Sequence, residues 1–363
     1  MTKSEFTNDL AKLVSFATLS GSFDELKKAL DFIESKIDTR AVIERINNQG
    51  VETLVASNIR TKTPDICYLV HADVVAGKPS QFTMKIEGDL AIGRGTDDMK
   101  YSIPLGYNLL NEIIASGKGP SFALVVTTDE EVGGFKGAKY MADVYQMKPK
   151  VFLVPDGGND FTFESKSKGV CGIRVDAKGK PAHASMLWKG KSALEPLVKL
   201  STELLKRYEK NNRKESWKTT MNIGKFQGGT STNQVCPEAY ATFDFRFPET
   251  SSIQEIFDKV AALAKKIDPS LTVSIYSSGE PTAVDMKNLL VKKFIKSMEK
   301  SIGRKIKIEG SYGASDARHF AKSGAPILMT KPNGRDLHGD NESIDISSCM
   351  AFYSALQAFI KEF

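Results

Sequence analysis

Apolar positions along the chain recur with two different periods, and the two alternate. Near the start, "DELKKALDFIESKI" (24–37) repeats at helical spacing, and Ser22 with Glu25 carries the signature of a capping box in front of it. Extended segments follow at "TLVASNI" (53–59) and "DICYLV" (65–70). The helical stretch "SIPLGYNLLNEIIAS" (102–116) precedes the strand-like "FALVVTT" (122–128), and "FKGAKYMADVY" (135–145) precedes "VFLV" (151–154). Short apolar runs separated by helices predict a mainly parallel sheet covered on both faces. After about residue 166 the pattern changes. "GVCGIRVDAKG" alternates as a strand, and a helix over about 191–210 follows. Then come the strands "TMNIGKFQGG" and "EAYATFDFRF", the helix "SIQEIFDKVAALAKKI" and the strand "LTVSIYSS". From about 279 the first pattern returns with "MKNLLVKKFIKSMEK", "PILMT" and a final helix from about 345. The prediction is an α/β domain (1–166 and 279–363) interrupted by an inserted two-layer α+β domain (167–278). No internal repeat or low-complexity tract breaks the pattern.

Composition narrows the class. The 363 residues, 41% hydrophobic and 26% charged, are ordinary for a globular chain of about two domains. The net charge of +6 comes from lysines dispersed over amphipathic segments. There is no basic stripe interleaved with aromatics, so nucleic acid is not an expected partner. The N-terminus lacks an unbroken apolar run, and the longest runs are far below the roughly 20 residues a bilayer span needs, so no membrane is expected either. Cys67, Cys171, Cys236 and Cys349 show no C-x-x-C spacing and read as reduced core thiols, which suits a cytoplasmic location.

The chemistry collects just past the strand-like runs. "DICYLV" leads into His71-Ala-Asp73, "FALVV" into Thr-Thr-Asp-Glu130-Glu131, and "VFLV" into Pro-Asp156-Gly-Gly. "PILMT" leads to "GRDLHGDNE" with His338 and Glu342, and the loop "IGRGTDDMK" (92–100) adds Asp97 and Asp98. Open α/β sheets bind ligands beyond the carboxyl ends of their strands. A lone strand-end histidine or a pair of turn acids is ordinarily structural. Here two of only four histidines fall among carboxylates at such ends, which points to a metal site. His71, His338, Asp98, Glu131 and Asp156 make five ligands, enough for two cations if one acid bridges. Asp73, two residues from His71, could hold the free ring nitrogen.

These residues resemble the M20 family of metallopeptidases and deacylases. The motifs that carry the likeness are "HADVV" (71–75), "GRGTDDMK" (93–100), "TTDEEVGG" (127–134), "VPDGG" (154–158), "GKPAHAS" (179–185) and "LHGDNE" (337–342), in the family's order. The resemblance implies a zinc-peptidase-like three-layer αβα catalytic domain, with the inserted domain as a lid or dimerisation domain, and a homodimer formed through it. It implies two Zn2+ per subunit, with Co2+ or Mn2+ as substitutes. His71 and Asp156 would bind one, Glu131 and His338 the other, and Asp98, which directly precedes "MK", would bridge. Glu130 would be the general base, moving a proton from the activated water to the departing amine. His183 would steady the oxyanion, often in the partner subunit's site. Asn233, Arg246 and Arg318 would hold polar groups of a small N-acyl amino acid or short peptide. Arg246 also reads as an outward-facing strand residue and His183 as a polar loop residue, while His319 reads as structural.

Three departures bear on the substrate. Ala76 stands where the family commonly has Pro, and Tyr101 where it has Gly, and the segment between the first two motifs is short. Deacylase and peptidase therefore remain open. Two other readings are a non-catalytic metal-binding protein on the same fold, which should lack the base or a ligand, and an unrelated cysteine enzyme, for which no Cys lies in a nucleophile-elbow context.

Overall fold

The computed structural model describes residues 1–213 and 215–363. They form two compact units. The first comprises Met1–Ser165, Val284–Ser311 and Ser315–Phe363, and the second Lys166–Ala283 with Tyr312–Ala314.

Four parallel strands form the centre of the first unit, in the order Phe122–Thr127, Ile66–His71, Val151–Val154 and Ile327–Met329. All four are buried along their length, as a sheet covered on both faces requires. Their side chains sort by the strand period of two. Ile66, Tyr68, Val70, Phe122, Leu124, Val126, Val151 and Leu153 face one core, shared with the helices Lys3–Ser15, Ser102–Ser116 and Ile346–Lys361. Cys67, Leu69, Ala123, Val125, Phe152 and Val154 face a smaller core built against Ala138, Met141 and Phe320. The result is a three-layer αβα unit within a mixed α/β protein. The hairpin Val42–Asn48/Val51–Ser57 extends the sheet on one side, antiparallel to Phe122–Thr127, and Phe163–Ser167 extends it on the other.

Three local differences from the sequence pattern have physical reasons. Ser22 does precede the helix Phe23–Ser35, but its ψ of 68° departs from the extended N-cap conformation and its side chain makes no cap bond. Glu25 pairs instead with Lys28 at 2.6 Å, and the reciprocal capping box stands at Thr2 and Glu5. The strand Val42–Asn48 was hidden by its polar residues; a turn at Gln49 and Gly50, both at positive φ, folds it onto its neighbour. A second small sheet also escapes the pattern because its strands are only two or three residues long. It matters most for the site. By pairing Ser343–Asp345 with Leu90–Ile92, it brings residues 334–345 beside the loop that begins at Gly93.

The second unit is a four-stranded antiparallel sheet, ordered Thr220–Gly228, Glu238–Phe247, Gly169–Lys178 and Thr272–Gly279. The helices Leu194–Asn212 and Ile253–Ile267 pack on it through Leu197, Leu200, Leu204, Ile256 and Val260. Alternation along Glu238–Phe247 sends Ala241, Phe243, Phe245 and Phe247 into that core. Tyr312 belongs here although its neighbours in sequence do not: its ring lies 5.6 Å from that of Trp217 and its hydroxyl donates to Glu215 at 3.0 Å.

Candidate metal centre

The parallel strands end together, and their ends deliver the site. His71 is the last residue of its strand, Asp156 lies two residues past Val154, and Glu130 and Glu131 form a short 3-10 turn past Thr127. The loop after Leu90–Ile92 contributes Asp98, and the loop between Gly334–Arg335 and Ser343–Asp345 contributes His338.

Asp98 is the hub. His71 Nε2 lies 3.1 Å from its Oδ1, and His338 Nε2 lies 2.9 Å from its Oδ2. Asp156 Oδ1 is 4.0 Å from His71 Nε2, and Glu131 Oε2 is 3.6 Å from His338 Nε2. Two ligand-like triads result, His71–Asp98–Asp156 and Asp98–Glu131–His338, each with its donor atoms within 4.8 Å of one another. His338 is held at a φ of 62°, a left-handed conformation that costs a non-glycine residue about 1–3 kcal/mol and persists where the surroundings over-determine it.

Electrostatics in this pocket pull in opposite directions. Burial raises the carboxyls of Asp156, Glu131 and Glu130: Asp156 goes well above its ordinary value, Glu131 to about 7 and Glu130 to about 8. Burial also works against Asp98, but the imidazoles of His338 and His71 hold its carboxyl below the usual range. Burial opposes the charge on His71, yet its bonds to Asp73 and Asp98 raise it well above an ordinary histidine. A group of acids that clings to protons while its histidines become cationic is a donor set short of positive charge.

The adjacent glutamates diverge. Glu131 Oε1 accepts from the Val75 N–H at 3.2 Å, and Oε2 faces His338. Among the described residues, no hydrogen bond or ion pair holds the Glu130 carboxylate. Asp73, fully buried, does more than its spacing suggests. His71 Nδ1 is 3.0 Å from the Asp73 carbonyl oxygen and 3.5 Å from its carboxylate. The carboxylate itself accepts from the N–H groups of Glu130 and Glu131, both at 3.1 Å, and from the Ser20 hydroxyl at 2.7 Å. It fixes the backbone that carries both acids.

Supporting groups surround the hub; Glu342 and Asp97 were named from the sequence, whereas Arg94, Lys100, Lys331 and Asp316 were not. Glu342 is 1% exposed and accepts from the N–H groups of Asp97 (2.9 Å) and Asp98 (3.0 Å), and from Arg94 Nη1 at 2.5 Å. Arg94 Nη2 reaches the carbonyls of His338 (3.1 Å) and Gly339 (3.2 Å), so one buried ion pair ties both loops of the hub. Lys331 pairs with Asp97 at 2.8 Å, which explains why Asp97 faces away from the centre. Lys100 donates to the carbonyls of Leu13 and Phe16, anchoring the loop to the first helix, and burial pulls its pKa down to about 7. Asp316, 3% exposed, accepts from the Thr127 hydroxyl at 2.8 Å beneath the turn of the two glutamates. A motif's charged letters signal such groups, but their partners lie more than 80 residues away.

The remaining candidates divide by unit. Arg318, in the first, donates from Nη2 to the Gly133 carbonyl at 2.7 Å. His183, Asn233 and Arg246 lie in the second. There His183 and Gln234 form a bridge, which sets the His183 and Asn233 loops side by side. His183 is exposed, and its Nδ1 accepts from the Ser185 N–H at 3.2 Å, leaving the proton on Nε2. Arg246 is paired with Asp244 on its own strand at 2.8 Å, and Asn233 Oδ1 accepts from the Ser231 hydroxyl at 2.5 Å.

Known proteins resemble the chain throughout. The profile of peptidase family M20/M25/M40 matches residues 67–362. A succinyl-diaminopimelate desuccinylase of Pseudomonas syringae pv. tomato is 26% identical, over 83% of both chains. A LysW-lysine/LysW-ornithine hydrolase of Sulfurisphaera tokodaii is also 26% identical, over 97% of this chain and 92% of that one. Among solved structures, an M20 family metallo-carboxypeptidase of Sulfolobus solfataricus superposes with a TM-score of 0.81 at 16% identity, covering 98% of both chains. A tripeptidase of Staphylococcus aureus gives 0.79 at 21% identity, covering 100% of this chain and 98% of that one. The chain therefore belongs to peptidase family M20/M25/M40, and it is a hydrolase of amide bonds.

Proposed function

We propose that the protein is a dinuclear zinc-dependent hydrolase that cleaves the amide bond of a small N-acyl amino acid or short peptide. The observation that carries the proposal is the division of Asp98's two oxygens between two triads. The donor set fits a pair of divalent cations: three carboxylates and two imidazoles converge, and burial leaves Glu131 and Asp156 clinging to protons. His71 and Asp156 would hold one ion, Glu131 and His338 the other, and Asp98 both; Zn2+ suits these donors best, with Co2+ or Mn2+ as substitutes. When bound, the ions would polarise the scissile carbonyl and acidify a water.

The chain's own residues do the rest. Glu130 takes a proton from the attacking water at its carboxylate and returns it to the amide nitrogen as the bond breaks. Burial raises that carboxyl, which favours its taking a proton, and bound cations would lower it enough to leave it free to act as the base. Asp73 keeps Glu130 and Glu131 aimed apart by holding both backbone N–H groups. His183 offers an Nε2–H to the oxyanion, and Asn233, Arg246 and Arg318 hold the substrate's carboxylate and carbonyl oxygens. Deacylation is the favoured reaction, because the two curated relatives described above are named for releasing a succinyl group and for hydrolysing LysW-lysine or LysW-ornithine. Dipeptidase or aminopeptidase action is the second reading, supported by the peptidase family itself.

A homodimer through the second unit is part of the proposal. That unit exposes Leu187 (64%) and Trp188 (79%) close to His183, along with Phe226 on one edge strand and Tyr276 on the other. Sedimentation showing only monomer would refute it. Four free, buried cysteines suit the cytoplasm. Among the described residues no helix is long and apolar enough to cross a membrane.

The test combines metal analysis with hydrolysis of a panel of N-acyl amino acids and dipeptides, for wild type and Glu130→Gln. About two zinc-class ions per chain should be retained in the variant while turnover is lost. Full activity without metal, or an active Glu130→Gln, would sink the reading.

A further inference from the structure

We infer that His319 is a positioning residue for the reaction: it holds the carbonyl of Gly133, and through it the turn that carries Glu130 and Glu131. The inference rests on the reading of Glu130 as the base.

The turn is closed by its own backbone. Gly133 N–H donates to the Glu130 carbonyl at 2.7 Å, and Gly134 N–H to the Asp129 carbonyl at 2.7 Å, so Gly133 cannot shift without carrying residues 129–131 along. Both glycines are at positive φ, 108° and 63°. Glycine admits many other conformations, so the local chain does not set this one by itself. The fixing comes from outside the turn. At the front, the Asp73 carboxylate holds the N–H groups of Glu130 and Glu131. At the back, the Gly133 carbonyl accepts two bonds, from Arg318 Nη2 at 2.7 Å and from His319 Nε2 at 2.9 Å.

A carbonyl only accepts, so His319 must carry its proton on Nε2. The imidazole is held in that orientation by Phe135, whose ring meets it edge-on at 5.8 Å and 63°. Space is tight: a Cβ on Gly134 would lie 3.2 Å from His319 Nε2 and 1.9 Å from Asp316 Oδ1. The two donors are not equivalent. Arg318 has further N–H groups and a proposed role on the substrate, so its hold on Gly133 competes with another task. The ring nitrogen of His319 that faces the turn has this one acceptor. His319 therefore keeps the base in place while Arg318 engages substrate.

The experiment uses the full chain loaded with zinc, measuring kcat, KM, bound metal and thermal midpoint for wild type, His319→Phe, His319→Gln and Glu130→Gln. Phe keeps a ring against Phe135 and removes the donor; Gln restores an N–H. His319→Phe should lower kcat about tenfold, the scale expected when a reacting group drifts by a fraction of an ångström, with KM and bound metal within about twofold. His319→Gln should recover most of that loss. If His319→Phe does not fold, His319→Met serves as the donor-free variant. A loss of kcat below about fivefold, or one that Gln does not reverse, overturns the inference. An inactive Glu130→Gln beside a fully active His319→Phe overturns the positioning role alone, whereas an active Glu130→Gln overturns the base assignment beneath it.

Discussion

Replacing Glu342 with alanine should break the hub without touching a proposed ligand. The side chain is 1% exposed and accepts three bonds: from Arg94 Nη1 at 2.5 Å and from the N–H groups of Asp97 and Asp98 at 2.9 and 3.0 Å. Removing it strands the Arg94 guanidinium, itself 3% exposed, without its ion partner. Breaking a buried pair in this way costs about 3–5 kcal/mol. Each N–H left unpaired adds roughly 1 kcal/mol or more, unless water enters the gap. A loss of about 5 kcal/mol is expected, a large part of a typical domain's stability. It should appear in urea titrations followed by circular dichroism, and as a fall of roughly 10–15 °C in thermal midpoint. Metal affinity should drop about 10- to 100-fold, because the Asp98 N–H and the His338 carbonyl lose their common anchor. The double variant Arg94→Met/Glu342→Met separates the two effects: an apolar pair should restore most of the stability but not the metal affinity. A destabilisation under about 2 kcal/mol for Glu342→Ala, or a double variant no more stable than the single, would refute the reasoning.

Glu164 gives a pH test away from the ligands. Burial, opposed by a bond from the Gly158 N–H, raises its carboxyl from 4.5 to about 7. A raised acid favours the folded state only while it keeps its proton, so its stability contribution is full below pH 4.5 and is lost as pH rises to about 7. Glu164→Gln should therefore be more stable than wild type at pH 8, by on the order of 2 kcal/mol, with the gap closing near pH 4.5; a constant gap across that range would count against it. Gly134→Ala should cost at least about 2 kcal/mol and most activity, because its φ is 63° and the added Cβ would meet Asp316 Oδ1 at 1.9 Å; unchanged kcat and thermal midpoint would exclude this. His183→Ala should lower kcat while leaving bound metal and thermal midpoint unchanged, since His183 is exposed and its nearest side-chain partner is its neighbour Ser185.

Much of the fold was legible because the decisive signals are local. A buried parallel strand is a short apolar run, and its period-two sorting into two cores needs only the strand's own residues. The convergence of His71, Asp98, Glu131, Asp156 and His338 followed from where those runs end and from motif order. What stayed hidden was set by partners distant in sequence. Asp73 looked like a companion for His71 two residues away, yet its carboxylate serves backbone 57 residues on. Arg94 reads as a letter in "GRGTDDMK" until Glu342 closes on it. His319 reads as structural because nothing near it in sequence reveals the Gly133 carbonyl. Short strands such as Gly334–Arg335 carry too few residues to show a period, although they deliver His338.

The Arg94–Glu342 tie spans 248 residues of chain, and the whole second unit is threaded between its two ends. A ribosome making this protein thus releases the strands, the loop with Asp98 and the turn of the two glutamates long before His338 and Glu342 exist. Until those last segments emerge, the hub has one imidazole, no buried counter-ion for Arg94 and no second triad. If the paired-cation reading holds, a chain cut short before residue 338 should lack the second triad and show no hydrolysis of the panel substrates.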